Sequence, residues 1–138
     1  MQSVAKHMVR QGYRKIANMS SISCLGGAPK GELAYSAAKA AVINLTAVSA
    51  IDLGPYGINV NCVAPGFITT DFHIKLAGSM EKLNEIREKK SRLTDQLRTG
   101  ESKNPARVAL FLASDDSSFI TEQVIVTDGG RQDFINHS

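Results

Sequence analysis

The sequence predicts an α/β domain built on a parallel sheet of about three strands. Two observations carry this: short apolar strand segments alternate with longer helical ones, and each strand runs into a Ser-, Gly- or Pro-bearing loop. The composition agrees, since 138 residues make one domain, and 43% hydrophobic, 21% charged and 4 Pro describe a globular chain.

Residues 1–12 read as the tail of a helix, with Val4, Met8 and Gln11 on one stripe and Gly12 as its stop. A strand over 15–20 follows and enters a loop running from Ser21 to Gly31. The longest helix is expected over Leu33–Leu53, rich in Ala, free of internal Gly and Pro, and closed by Gly54-Pro55. It is apolar nearly all round, so it should be buried in a core or against another subunit. Ile58 to Ala64 is the second strand, ended by Pro65-Gly66.

Residues 71–103 form a polar stretch in which Met80, Leu83, Ile86, Leu93 and Leu97 recur at near-helical spacing. Glu85/Lys89 and Glu88/Arg92 stand as i,i+4 pairs there. Asn104-Pro105 supplies an N-cap and a first-turn proline for a helix through Ala113. A last strand, Val124 to Thr127, runs into Asp128-Gly129-Gly130. The first strand would show an unpaired edge with nothing ahead of it, which points to sequence missing upstream.

Charge and cysteine usage narrow the classes. The net charge is +3 and the pI about 9.0, with much of the excess between Lys75 and Arg107. Those cations are interleaved with Glu81, Glu85, Glu88 and Asp95 and lack aromatic platforms, so a solvated helix face is expected rather than a nucleic-acid surface. Cys24 and Cys62 form neither a disulfide framework nor a metal spacing; they are expected as packed thiols in a reducing, cytoplasmic setting. No apolar run reads as long enough to span a bilayer, and no partner membrane is expected.

The chemistry concentrates in Tyr35-Ser36-Ala37-Ala38-Lys39. Residues four apart share a helix face, so a phenol and an ammonium project side by side. A free phenol ionises near pH ~10, too high for a useful base at neutrality. A cation one turn away favours the phenolate and so suits acid–base work. Alone, Tyr-x-x-x-Lys is a weak signal, but two strand ends flank it. Asn18-Met19-Ser20-Ser21 closes the first strand in hydroxyls, and Pro65-Gly66-Phe67-Ile68-Thr69-Thr70 closes the second in a turn carrying amides and threonines. In open α/β sheets ligands lie beyond the carboxyl ends of strands. Of the histidines, His7 and His137 lie in the first helix and the tail, and only His73 is placed to reach a substrate.

With these segments the chain resembles the short-chain dehydrogenases/reductases, of the 3-oxoacyl-[acyl-carrier-protein] reductase-like group. The likeness runs on through Phe111-Leu112-Ala113-Ser114-Asp115, Phe119-Ile120-Thr121 and Asp128-Gly129-Gly130. It implies the C-terminal half of a doubly wound parallel Rossmann sheet, with 71–103 as a substrate lid. It further implies an oxidoreductase that interconverts a secondary alcohol and a ketone with NAD or NADP. Tyr35 would be the acid/base, Lys39 would assist it and hold the nicotinamide ribose, and Ser21 would position the substrate oxygen. Pro65, Gly66, the Ile68 backbone and Thr70 would cradle the nicotinamide end. The complete protein would be a homodimer or homotetramer packed through the Leu33–Leu53 helix; an inactive fragment serving only that association is the alternative.

The chain departs from the family pattern in places. The glycine-rich turn, the residue that selects NAD from NADP, the Asn-Ala-Gly segment and a helix asparagine have no counterpart in it. The chain expressed alone is therefore expected to bind NAD(H) negligibly. The Ser21–Tyr35 interval is one residue longer than the commonest spacing, which leaves Ser20 and Ser23 as alternatives. Glu122 follows Thr121 where relatives usually have glycine.

Overall fold

The computed structural model describes residues 2–26 and 30–131; the middle of the Ser21–Gly31 loop and the tail bearing His137 lie outside them. The main elements are α1 (Gln2–Gln11), β1 (Lys15–Met19), α2 (Leu33–Leu53), β2 (Asn59–Pro65), β3 (Ile68–Thr69), α3 (Asp71–Ala77), α4 (Met80–Ser91), β4 (Gly100–Glu101), α5 (Lys103–Ala113) and β5 (Val124–Thr127). The expected α/β architecture is present as a parallel sheet in the order β1-β2-β5.

The central strand β2 is buried from Val60 through Ala64, because helices cover both of its faces. Val60 packs with Met8, Ala50 and Ile58, so α1 and α2 lie on one side, while α5 packs on β1, β2 and β5 from the other. Strand alternation sorts the polar residues as well. On the α2 side Asn18 donates to Thr46 Oγ1 at 2.9 Å. Asn61, with no exposed surface, turns the other way and bonds Ile120 O and the Gln123 N–H at 2.8 and 3.0 Å. The Thr121–Gln123 segment also reaches back to β2, where Glu122 N–H donates to Val60 O and Thr121 Oγ1 accepts from Val60 N–H. Together these bonds seat β5 in register beside β2.

Four expectations change. In α1 the buried stripe is Ala5 and Met8; Val4 is 56% exposed and Gln11 is exposed. Met8 alone of the expected stripe meets the α2 core, and Ala5 shares its face three residues earlier. Gly12 does stop the helix, with a left-handed φ of 73° and its N–H on Met8 O.

Helix α5 begins at Lys103, not at Asn104-Pro105. Its cap residue is Ser102, and Asn104 instead accepts from the Glu101 N–H at 2.8 Å. A proline within the first turn is tolerated because the N–H it lacks would have had no intrahelical partner.

The apolar stripe of 71–103 is mostly exposed: Leu83 is buried, whereas Met80, Ile86 and Leu97 are not. Two short helices separated by Gly78, with φ 75°, replace one continuous face, and Ser79 caps the second through the Lys82 N–H. The Glu88–Arg92 pair forms.

Finally, Leu33–Tyr56 is a helical run of 24 residues whose hydropathy of 1.3 makes it long and apolar enough to cross a bilayer by length and composition. Its apparent interruption at Gly54-Pro55 is only a tightening into a 3₁₀ turn. In this fold it lies along the sheet, with Thr46, Ser49 and Ala50 buried and Leu33, Leu45, Val48 and Ile51 exposed.

Candidate active site

A cleft of about 760 Å³ opens where β1 and β2 end. The elements that meet there are the β1–α2 loop, the first turns of α2, the Pro65–Thr70 turn and the helices after it. Every site residue expected from the sequence lines it: Ser21, Tyr35, Lys39, Pro65, Gly66, Ile68 and Thr70.

Tyr35 is 48% exposed on the first turn of α2, with its ring toward the cleft. Lys39 stands one turn on, its Nζ 5.7 Å from the ring centroid. The ammonium also donates to Met19 O at 3.1 Å, which ties the helix to the last carbonyl of β1. Helical spacing thus puts the two groups together, and the end of the strand holds the cation there.

The three serines differ in what their hydroxyls hold. Ser20 is buried, its Oγ donating to Lys39 O at 2.8 Å, so it pins α2 to the strand. Ser23 Oγ donates to Ser21 Oγ at 3.1 Å, and the Ser23 N–H donates to the same oxygen at 3.2 Å. Ser21 Oγ therefore accepts twice inside the loop, and among the described residues its own O–H has no acceptor, so it can serve the cleft it lines. Ser36 Oγ donates to Ser23 O and fastens this loop to the helix bearing Tyr35.

The turn after β2 depends on Gly66. A Cβ there would lie 2.7 Å from Asp128 Cβ and 2.8 Å from Asp128 Cα, so the end of β5 leaves room only for glycine. The Gly66 N–H donates to Thr127 O at 3.1 Å. Strands β3 and β4 then pair in parallel, Ile68 with Gly100 and Thr69 with Glu101, so the chain leaves and re-enters 71–103 at one place. Thr70 stands at the N-terminus of α3 without a side-chain capping bond, and its Oγ1 lies instead 2.9 Å from His73 Nδ1. Burial pushes the His73 imidazole below its ordinary pKa.

Sequence reasoning missed several cleft residues. Phe67, Phe72 and Lys90 face it from the turn, α3 and α4, and Pro105 reaches it from α5. Phe72 had a signal, an apolar residue directly after Thr70-Asp71; Lys90 had none, being one of several lysines in a charged run. Cys24, expected as a packed loop thiol, donates to Ser21 O at 2.9 Å. Cys62 is fully buried and burial raises its pKa, which leaves it an inert thiol. Among the described residues no cluster has the makings of a metal site.

Lys39 beside Tyr35, and the turn through Gly66 with Thr70, are the residues of this cleft that could hold a cofactor. Comparisons with known proteins agree with this geometry. A family model described as enoyl-(acyl carrier protein) reductase matches residues 1–132. The (2S)-[(R)-hydroxy(phenyl)methyl]succinyl-CoA dehydrogenase subunit BbsD of Thauera aromatica is 42% identical, covering 96% of this chain and 50% of that protein. The 3-oxoacyl-[acyl-carrier-protein] reductase FabG of Thermotoga maritima is 43% identical over 94% of this chain and 50% of its own length. Among solved structures, a 3-oxoacyl-[acyl-carrier protein] reductase with bound NAD from Brucella melitensis superposes with a TM-score of 0.81 at 34% identity, over 95% of this chain and 45% of that one. The chain spans about half the length of the curated relatives it matches. Its sheet, its cleft and these matches agree that it belongs to the short-chain dehydrogenase/reductase family of Rossmann-fold oxidoreductases.

Proposed function

We propose that this chain is the catalytic half of an NAD(P)-dependent oxidoreductase that interconverts a secondary alcohol and a ketone. The observation that carries the reading is the placement of Tyr35 and Lys39 on one face of α2, in the same cleft as Ser21 and the Pro65–Thr70 turn. A bound nicotinamide would supply or accept the hydride. Pro65, Gly66, the Ile68 backbone and Thr70 would hold its ring end, and Lys39 would hold the ribose. The 71–103 excursion covers the substrate.

The protein's own part is proton handling. Ser21 directs its free O–H at the substrate oxygen and fixes the carbonyl or carbinol carbon toward the nicotinamide. In the oxidative direction Tyr35, as phenolate, takes the hydroxyl proton while the carbinol carbon loses hydride; in reduction both steps reverse. The Lys39 ammonium stabilises the phenolate charge while it exists. Loss of such an acid–base group costs about 10²–10⁴-fold in rate. In the protein that contains this chain, Tyr35→Phe should cut kcat by that factor and leave the fold and the substrate KM close to the parent's. Near-normal turnover in that variant refutes the assignment.

A second reading is favoured by the exposed apolar side chains of α2. Leu45, Val48 and Ile51 are 48%, 48% and 67% exposed, a surface that suits packing against a second copy in a homodimer or homotetramer. Sedimentation of Ile51→Glu tests it: dissociation supports subunit association through α2, and an unchanged assembly removes it.

A further inference from the structure

The proposed chemistry leaves open what the substrate carries besides its carbonyl, and the far wall of the cleft addresses that. Three rings line it in series. Phe72 meets His73 edge-on, with centroids 5.6 Å apart, and His73 meets Phe67 at 4.8 Å, tilted by 58°. Beyond Phe67 stands Lys90, its Nζ 5.9 Å from that ring's centroid. All four side chains line the cleft that holds Tyr35.

The His73 ring is held in this row by the bond of its Nδ1 to Thr70 Oγ1 and by its contacts with the two phenylalanines. The row is therefore an aromatic wall with a cation at one end. Charge in the cleft is one-sided. Lys39, Lys90 and Arg131 line it against a single described carboxylate, Glu32. Lys39 is engaged with Met19 O, and Arg131 is engaged as well. Lys90 differs: among the described residues it has a ring contact and no carboxylate partner. An ammonium left over an aromatic face beside a substrate cavity is a receptor for an anion, and one point charge matches a monoanionic carboxylate.

We infer that the substrate is an aryl ketone or alcohol bearing a carboxylate, its ring lying against Phe67, His73 and Phe72 and its carboxylate meeting Lys90. This rests on the reading of Tyr35 and Lys39 as the reacting end of the cleft. Ring contacts with the wall bind substrate and transition state alike, so they act on KM. The carboxylate contact does the same, and the loss of one charge-assisted contact in a half-open site amounts to about tenfold in affinity.

The test uses the full-length protein that contains this chain, with 4-acetylbenzoate and methyl 4-acetylbenzoate as probes and NADH or NADPH as reductant. The parent should favour the acid over the ester in kcat/KM. Lys90→Gln should raise the KM of the acid about tenfold more than that of the ester, with kcat nearly unchanged. Lys90→Arg should restore most of the preference, and Phe72→Ala should raise KM for both probes. An ester reduced as well as the acid, or a Lys90→Gln effect equal on the two, overturns the carboxylate. Reduction of 2-butanone but of neither probe overturns the aryl class. Turnover of any of these ketones that survives Tyr35→Phe overturns the underlying reading instead.

Discussion

Asn61 offers a measurement of what joins the last strand to the sheet. Its side chain has no exposed surface and holds two backbone groups of the incoming segment, the Ile120 carbonyl and the Gln123 N–H. Asn61→Ala removes both partners at once. Ile120 is half-buried and Gln123 exposed, so water can reach the two backbone groups, and each lost bond costs about 0.5–1.5 kcal/mol, about 1–3 kcal/mol in all. That corresponds to about a 5- to 160-fold fall in the folded-to-unfolded ratio, out of a total stability of about 5–15 kcal/mol. The midpoint of urea unfolding reads it, at unchanged slope.

Asn61→Asp sharpens the test. The shape and the acceptor for Gln123 survive, but the donor to Ile120 O is lost and a carboxylate faces a carbonyl without solvent. Burial should raise this acid's folded pKa above its unfolded value of about 3.9. The folded state then holds its proton more tightly, so the variant gains stability as pH falls and loses it as pH rises through the folded pKa. At low pH the protonated Asp can donate to Ile120 O again. A loss under about 0.5 kcal/mol in Asn61→Ala, the size of an ordinary surface change, would refute the clamp, as would an Asp variant indifferent to pH.

Other positions give independent checks. Gly66→Ala forces a Cβ to within 2.7 Å of Asp128 Cβ, so overpacking of about 1–3 kcal/mol is expected, whereas Gly54→Ala, with nothing within 4 Å, should be close to neutral by thermal unfolding. Equal effects at the two sites would remove the steric argument. Glu122 holds a φ of 64°. A left-handed conformation costs a non-glycine residue about 1–2 kcal/mol, so Glu122→Gly should raise stability by up to about 1 kcal/mol after its unfolded-state entropy is counted; a lower melting temperature contradicts this. His73 has a depressed pKa from burial, so the unfolded chain takes up a proton below about pH 6.5 before the folded one does. The parent should lose stability as pH falls from 7 to 5, and His73→Asn should lose less; matching pH slopes would show that the imidazole is not held neutral.

The sequence was most legible where function needs local spacing. Tyr35 and Lys39 meet because a helix brings i and i+4 together, and Ser21 and Pro65–Thr70 reach the same cleft because parallel strands end at one rim. Periodicity misled where a segment leaves the sheet. The apolar residues of 71–103 fit a helical spacing, yet only Leu83 among Met80, Leu83 and Ile86 is buried, since among the described elements α4 packs chiefly on the short α3. The Asn104-Pro105 signal was off by a residue or two because Asn104 serves the Glu101 N–H instead of capping α5. The resemblance pointed to Ser21 and left Ser20 and Ser23 as alternatives. All three line the cleft, and their hydroxyls are told apart only by bonds to Lys39 O and to one another.

By itself the sequence determined the family, the order of the main strands and helices and the pairing of Tyr35 with Lys39 on one helix face, since each depends on neighbours a few residues apart. Only the tertiary structure decided that Ser21 Oγ accepts twice from Ser23 and that Gly66 leaves room for Asp128. It alone set Phe72, His73, Phe67 and Lys90 in one row. Those relations join residues distant along the chain, and packing in three dimensions, unlike helical spacing, leaves no period in the sequence to read.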